Sequence, residues 1–477
     1  MLAWSGWMIN LKQKQAEALE LMKSGKNVFL TGKAGTGKSF VTDQFTEWAE
    51  QNKKKILICA PTGIAALNIG GSTIHRSFKL PIDYVKSSSH LGTNKETMEV
   101  LAGADIVLID EVSMLRADVF SHVEYKLRDS VFDSNAPFAD KQIIVVGDFY
   151  QLPPVVKPNE KDMLVKDYGG TYAFETKAWK NARFSMVELD EVVRQNDVEF
   201  VDALNSIREK NVYSDKALSY INGNATATDN GDVVTLCFTN KAAEQINKSE
   251  LAKIDDLPRQ FHANVSGKVS ESDKPVPECL ELKVGAKVIF CMNDQNGRFV
   301  NGTTGHVTGF TDEFIVIDDY IELDKNTWEV KEPALNKDTG KIEYDVIGTY
   351  KQYPIKLAWA ITIHKSQGQT ITGRVHLEMD GSYRPHGSLY VALSRCTDIA
   401  NLSLDRPLGS YDLFVDESVR TALLSMSQGF TAIEVPAYAL PFFQQMQKII
   451  NLNPTERQLT GMLKRLGEWE EKVRCSN

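Results

Sequence analysis

The segment Gly32-Lys33-Ala34-Gly35-Thr36-Gly37-Lys38-Ser39 constrains this chain more than any other. An apolar run, Val28-Phe29-Leu30-Thr31, leads into it, and an apolar-periodic stretch from Phe40 to Trp48 follows. Strand, glycine loop and helix in that order form the context that a phosphate-binding loop requires. Glycines let backbone N–H groups turn inward around phosphate oxygens, and the helix N-terminus favours negative charge. Gly32, Ala34, Gly35, Thr36 and Gly37 are therefore expected to cradle the phosphates of a nucleoside triphosphate. Lys38 is expected to reach the β- and γ-phosphates, and the Ser39 hydroxyl to ligate Mg²⁺. A chance glycine turn is the alternative, and the register of both flanking elements argues against it.

Two further apolar runs end in polar clusters. Ile106-Val107-Leu108-Ile109 runs into Asp110-Glu111. Taken alone these carboxylates fit helix capping equally well. Downstream of a phosphate loop, Asp110 is expected to hold Mg²⁺ through water and Glu111 to take a proton from the water attacking the γ-phosphate. Ile143-Ile144-Val145-Val146 ends in Gly147-Asp148-Phe149-Tyr150-Gln151-Leu152-Pro153-Pro154. Gln151 then lies at the carboxyl end of a strand, where ligands bind in open α/β sheets, and is a candidate γ-phosphate sensor. Three such strands separated by helical stretches predict an α/β fold with a parallel sheet covered by helices.

At 477 residues the chain exceeds one ordinary domain, and its 42% hydrophobic content supplies folded cores. The net charge of −9 excludes a uniformly basic surface but leaves room for a locally positive groove. The six cysteines are scattered, with no CxxC pair and no zinc spacing, which fits reduced thiols. Met1 to Ile9 lacks the basic lead and cleavage pattern of a secretory leader, and no run has the roughly 18 apolar residues of a membrane span. A cytoplasmic protein of bacterial or phage origin is expected, or a nuclear or mitochondrial one in a eukaryote.

Eight strings now stand in one order: Leu11-Lys12-Gln13-Lys14-Gln15, the glycine loop, Ala60-Pro61-Thr62-Gly63-Ile64-Ala65-Ala66, Ile109 to Met114, Gly147 to Pro154, Leu189-Asp190-Glu191-Val192-Val193-Arg194-Gln195, Ala360 to Thr370, and Tyr390-Val391-Ala392-Leu393-Ser394-Arg395. In this order the chain resembles the Pif (petite integration frequency) helicases of superfamily 1, related to RecD and Dda, from about residue 11 to 405. The resemblance implies two RecA-like domains with ATP in the cleft between them. It implies that Gln15 reads the adenine edge, and that Arg194 and Arg395 reach across from the second domain as arginine fingers. For Arg194 an ion pair with Glu191 or Asp197 is the competing reading. The turn Lys365-Ser366-Gln367-Gly368 is expected to join the nucleotide site, through Gly368, to a DNA track.

On that track the residues matching Thr62, His75 and His364 face the single strand in related helicases. The string Ser72-Thr73-Ile74-His75-Arg76-Ser77-Phe78 offers hydroxyls, a cation and an aromatic ring suited to phosphates and stacked bases, so Thr73 and Phe78 join the candidates. The alternative makes Phe78 a core ring and His75 a satisfied buried histidine.

The expected organisation is a first RecA-like domain over 1–185, with an insertion near 79–99 that the resemblance implies is a wedge with Tyr84 and Leu91 as possible tips, and that fits a plain surface loop equally well. A second, discontinuous RecA-like domain spans 186–257 and 350–410, split by a small β-barrel, Src-homology-3-like by resemblance, over 258–349. A helical extension follows over 411–477, where Leu459, Met462, Leu466, Trp469 and Val473 make one stripe. The expected function is ATP-driven 5′-to-3′ movement on single-stranded DNA with duplex unwinding, in replication, repair or recombination. The expected partners are single strands and forks, with no membrane, and the expected active form is a monomer. A motor acting on RNA or stripping proteins, and an ATPase switch that does not unwind, are the alternatives.

Overall fold

The structure, a computed structural model, describes residues 11–131, 134–192, 197–225, 232–294, 296–311, 314–371, 373–379 and 385–427. Met1–Leu424 cluster as one compact unit and Ser425–Asn477 as another. Arg194 and the stripe from Leu459 to Val473 lie outside the described residues.

Six strands form a wholly parallel sheet: β1 Val28–Gly32, β2 Ile56–Ala60, β3 Ser72–Thr73, β4 Ile106–Ile109, β5 Gln142–Val146 and β6 Ser185–Leu189, in the order β3-β2-β4-β5-β1-β6. Every residue of β1, β2 and β4 is buried. A parallel sheet covered on both faces needs such continuous apolar runs. Helices α1, Gln13–Lys23, and α2, Lys38–Gln51, cover one face, where Ala18, Met22, Val41 and Phe45 pack on Val28, Leu30, Ile144 and Val146. The other face carries an aromatic cluster in which Phe29 lies 5.4 Å from both Phe149 and Trp179. Parallel strands deliver their carboxyl ends to one edge, so the glycine loop, Asp110-Glu111 and Gln151 emerge together. The sheet extends further along the chain than the boundary at 185, because β6 pairs with β1 from Ser185 to Leu189.

Strand β7, Val233–Cys237, begins a second parallel sheet that ten strands of an insertion interrupt. These are β8 Arg259–His262, β9 Asn264–Gly267, β10 Cys279–Leu282, β11 Lys287–Phe290, β12 Thr304–Phe310, β13 Ile315–Ile317, β14 Ile321–Leu323, β15 Asn326–Leu335, β16 Ile342–Gln352 and β17 Ile355–Leu357. They form antiparallel ladders in the orders β14-β13-β12-β11-β17, β15-β16-β9 and β10-β8, around a core that includes Leu280, Val288, Phe290, Val307 and Ile355. Strand β17 pairs with β11, so the insertion continues past 349 to Leu357. Strands β18 Ala360–Thr362, β19 Arg374–Leu377 and β20 Leu402–Leu404 then complete the second sheet in the order β18-β7-β19-β20, all parallel. Among the described residues no helix is long and apolar enough to cross a membrane.

The hairpin β15–β16 leaves the insertion and caps the open edge of the first sheet. Strand β3 pairs with β2 only at Cys59 and Ala60, which leaves the backbone of Ile58 without a neighbouring strand on that side. The Tyr344 hydroxyl fills the place, accepting from Ile58 N at 2.6 Å and donating to Ile58 O at 3.0 Å. Burial raises the Tyr344 pKa, which keeps this hydroxyl protonated and able to donate. Ser72 Oγ donates to Lys331 O at 2.9 Å, and Lys79 pairs with Glu332. An unpaired strand edge is costly when buried, so this contact has structural weight. Tyr344→Phe should lower unfolding stability by about 1 kcal/mol in urea titrations; an unchanged midpoint would show that the edge does not depend on the hydroxyl.

Candidate functional site

The glycine loop ends at the N-terminus of α2, with Gly35 at φ 77° and Gly37 at φ 85°. These left-handed conformations favour glycine and let the chain curl around an anion. The Lys38 ammonium lies inside the loop, donating to Gly32 O at 2.8 Å and Lys33 O at 3.1 Å. Burial pushes its pKa down, against the pull of Asp148 and Glu111. Gln15 is buried against the loop from α1, with Nε2 donating to Thr36 O at 3.0 Å and Oε1 accepting from Lys12 N at 3.1 Å. A methyl group on Gly37 would collide with that amide.

A cleft of about 510 Å³ is lined by Ala34, Gly35, Thr36, Gly37, Lys38, Ser39, Asp110, Glu111, Gln151, Gly368, Thr370 and Arg395. The segments that follow strands β1, β4 and β5 supply the first nine, and the turn after β18 and the residues just past the helix Ser388–Leu393 supply the rest. Burial and the neighbouring Glu111 charge push the Asp110 carboxyl up to about 7. Burial also raises Glu111, with Lys38, Arg395 and Gln367 acting in the opposite direction. Glu111 sits at φ 51°, a left-handed conformation that costs a non-glycine residue roughly 1–2 kcal/mol and aims its side chain into the cleft. Ser39 and Asp110 give a hydroxyl and a carboxylate on one wall, an all-oxygen set suited to Mg²⁺. Among the described residues no cluster of three or more His, Cys, Asp or Glu is placed to hold a metal, so an ion there needs phosphate oxygens as well.

Arg395 is 1% exposed. Its guanidinium donates to Gln369 O at 2.7 Å, Ser366 O at 3.2 Å, Val391 O at 2.9 Å and Ser394 Oγ at 2.8 Å. It therefore braces the turn 366–369 at the cleft wall. Gly32 lies one step behind the cleft, where a Cβ would strike the Leu189 carbonyl.

The cleft has supports that no sequence argument identified. Tyr390, the first residue of the Tyr390–Arg395 string, accepts a hydrogen bond from Ala34 N at 2.8 Å, and burial pushes its pKa up to about 12. Thr370 and Gln367 belong to the string 360–370, yet neither stood out from its neighbours. Arg208, on the helix Val198–Glu209, is 1% exposed and grips Asp148 with Nε and Nη2, each at 3.0 Å. It also lies 3.2 Å from Glu188 and over the Tyr150 ring. Burial acts to lower the Arg208 pKa, and Asp148, Tyr390 and Glu188 together more than offset it. No motif marks Arg208, which reads in sequence as one more helical surface cation.

The DNA candidates divide into two groups. Thr62 and Thr73 are the N-caps of helices α3, Gly63–Asn68, and α4, Ile74–Ser77, and accept from Ala65 N at 3.2 Å and Arg76 N at 3.3 Å. They stand with His75 at the carboxyl ends of β2 and β3. His75 is half-buried, its Nδ1 is 3.4 Å from Leu80 O, and burial lowers its pKa. Phe78 is fully buried, so its ring belongs to the core and offers no face for a base. His364, also lowered by burial, sits across the fold in the turn after β18. In the segment 79–94 the suggested tips are tied down: Tyr84 donates to Asp167 at 2.6 Å, and Lys126 donates to Leu91 O at 2.7 Å. Ile82, 76% exposed, is the apolar side chain that this segment presents to solvent.

Arg208→Leu should destabilise the fold by about 3–5 kcal/mol in denaturant, because it strands a buried carboxylate. Arg208→Leu combined with Asp148→Leu should recover most of that loss; a double variant as weak as the single one would refute the pairing argument.

Comparison with known proteins then gives a consistent answer. Residues 10–231 match the family described as PIF1-like helicase. The chain is 33% identical over 413 residues to the ATP-dependent DNA helicase Pif1 of Bdellovibrio bacteriovorus, covering 83% of this chain and 88% of that one. Its fold matches the crystal structure of Bacteroides sp. Pif1 with ADP-AlF4 at a TM-score of 0.81 and 31% identity, over 89% of this chain and 98% of that one. Against Bacteroides Pif1 bound to single-stranded DNA the TM-score is 0.64 at 31% identity, over 88% and 98% of the two chains.

Proposed function

Since this chain belongs to the PIF1-like helicase family, we propose that it is an ATP-dependent DNA helicase that hydrolyses ATP in the cleft to move 5′ to 3′ along single-stranded DNA and open duplex. The observation that carries this reading is the composition of the cleft wall. The glycine loop, Asp110 and Glu111 face Gly368, Thr370 and Arg395 from the other parallel sheet. A triphosphate held between them couples hydrolysis to the relative position of the two lobes, which is what a motor requires.

In this reading Lys38 and the loop amides hold the β- and γ-phosphates, and Gln15 sits beside the base. Glu111 takes the proton of the attacking water, Gln151 reads the γ-phosphate, and Arg395, with Arg194, neutralises charge that develops in the transition state. Ser39 and Asp110 would hold Mg²⁺, which supplies further neutralisation of the phosphate oxygens. Backbone amides and caps around Thr62 and Thr73, with His75 and His364, form the phosphate track. Contacts to the backbone suit a motor that must pass every sequence. The inserted β-strands from 258 onward are read as the Src-homology-3-like module, the segment near 79–99 as the wedge, and a monomer as the working unit.

Three measurements test the assignment. Lys38→Ala should reduce ATP turnover to background with the fold intact, and EDTA should do the same to the wild type; persistent turnover in either case contradicts the cleft chemistry. On matched 5′-tailed and 3′-tailed duplexes, only the 5′ tail should support unwinding. The opposite preference reverses the direction, and stimulation by RNA alone points to a different track. Ile82→Asp should impair unwinding several-fold while single-stranded-DNA-stimulated hydrolysis stays near wild type. Equal losses in both would remove Ile82 from the fork.

A further inference from the structure

Gln367 follows β18 in the turn whose backbone closes through Gln367 N donating to His364 O at 3.2 Å. Its side chain crosses the cleft. Nε2 donates to Glu111 Oε2 at 3.1 Å and lies 3.5 Å from Gln151 Oε1. A carboxylate only accepts hydrogen bonds, so the contact with Glu111 fixes which end of the amide is which. The other end, Oε1, is buried and has no hydrogen-bond partner among the described residues. A buried carbonyl oxygen left unmatched forfeits the hydrogen bonds it would make to water and calls for an explanation.

The surroundings hold this amide in place. On its own lobe Arg395 binds the carbonyls of Ser366 and Gln369, on either side of Gln367. On the facing lobe Gln151 is tethered, since its Nε2 is 3.5 Å from Asp148 Oδ2, and Arg208 fixes that carboxylate. One donor and one free acceptor are thus presented at the group that takes the proton. Water attacking a γ-phosphate has two protons to place, and Glu111 accepts one.

We infer that Gln367 is a third member of the hydrolytic site, supplied by the second lobe: its amide N–H holds Glu111 in place, and its free Oε1 accepts the remaining O–H of the attacking water. The inference rests on reading the cleft as an ATP hydrolysis site. In the step, the water oxygen bonds to the γ-phosphorus as the bridging bond to the β-phosphate oxygen breaks, and ADP leaves with those electrons. One water proton passes to the Glu111 carboxylate and then to bulk solvent, and the other stays on the orthophosphate oxygen, hydrogen-bonded to Gln367. With the second lobe withdrawn, the water lacks this acceptor and Glu111 lacks its donor. Hydrolysis then waits on closure. Because Gln367 shares its turn with His364, a residue of the proposed track, the same movement ties turnover to bound DNA.

The test uses the full chain with an oligothymidine strand, measuring kcat and KM for ATP, strand affinity by fluorescence anisotropy, and thermal midpoint. Gln367→Leu removes both ends of the amide, and Gln367→Glu keeps the shape but sets an acceptor against Glu111. Both should cut DNA-stimulated kcat by about 10²-fold, with KM, strand affinity and midpoint close to wild type. Gln367→Asn, which keeps the amide on a shorter arm, should recover part of the rate. A wild-type kcat in Gln367→Leu, or a fall in kcat matched by equal losses in ATP and strand binding, overturns the inference alone. A wild-type chain without DNA-stimulated turnover overturns the functional reading, and this inference with it.

Discussion

The grip of Arg208 on Asp148 underlies the geometry of the whole cleft. Both side chains are essentially withdrawn from water. Burying an ion costs several kcal/mol, and only close, bidentate pairing with further hydrogen bonds offsets that cost. Asp148 meets the condition by also accepting from Tyr150 N at 3.1 Å, with Gln151 Nε2 nearby. The carboxylate that receives the helix Val198–Glu209 therefore also shapes the turn at the end of β5. Neither arrangement is stable alone: withdraw the helix and Asp148 is stranded, withdraw the turn and Arg208 is stranded. Tyr390 adds a neutral contact of the same kind on Ala34, so the glycine loop is held from the second lobe as well as by its own sheet.

That enclosure explains the electrostatics. Lys38 is pushed towards losing its proton while Asp110 and Glu111 are pushed towards keeping theirs, and burial is the leading cause in all three. In the proposed reading a triphosphate would suit the ammonium of Lys38 and its cation the carboxylate of Asp110, so binding would relieve part of a tension that folding creates. The left-handed Glu111 adds to it, since its unfavourable backbone is tolerated only where neighbours fix the outcome. Groups held in this way need no reorganisation at the moment of reaction, and preorganisation of that sort is commonly the largest catalytic term.

How much of this was legible in the sequence depends on whether a feature is local. The glycine loop, Asp110-Glu111 and Gln151 each follow an apolar run, so strand periodicity alone places them at one edge of a parallel sheet, and they meet there. Position within a string was not enough for Gln367 or Tyr390, because their partners, Glu111 and Ala34, come from another lobe and nothing in local spacing encodes that pairing. Arg208 was invisible for a stronger reason: a buried arginine and a solvated one look alike until the carboxylate opposite is known. Phe78 failed in the other direction. Its neighbours Thr73, His75 and Arg76 suggested a nucleic-acid surface, but the ring is fully buried, and packing overrode the suggestion. Boundaries slipped for a similar reason, since β6 and β17 are defined by the strands they pair with, β1 and β11, which lie far away in sequence.

The insertion takes a place that its sequence position does not disclose. It interrupts the second sheet, yet its hairpin caps β2, and its segment 270–273 packs on the first lobe. Arg76 donates to Asp273 at 2.8 Å and 3.3 Å, and a methyl group on Gly63 would collide with the Ser272 carbonyl. Gly63 and Arg76 flank Thr62 and Thr73, so the insertion lies over the first-lobe end of the proposed track. The cation best placed there for a phosphate is already paired. The Arg76 side chain is 17% exposed, so water screens the pair only in part, and Asp273 is drawn down by Arg76 and Ser270 against the effect of burial. A strand phosphate reaching Arg76 must therefore displace a carboxylate of the protein itself. It succeeds only by bringing several contacts at once, as an extended polynucleotide does and a lone anion does not.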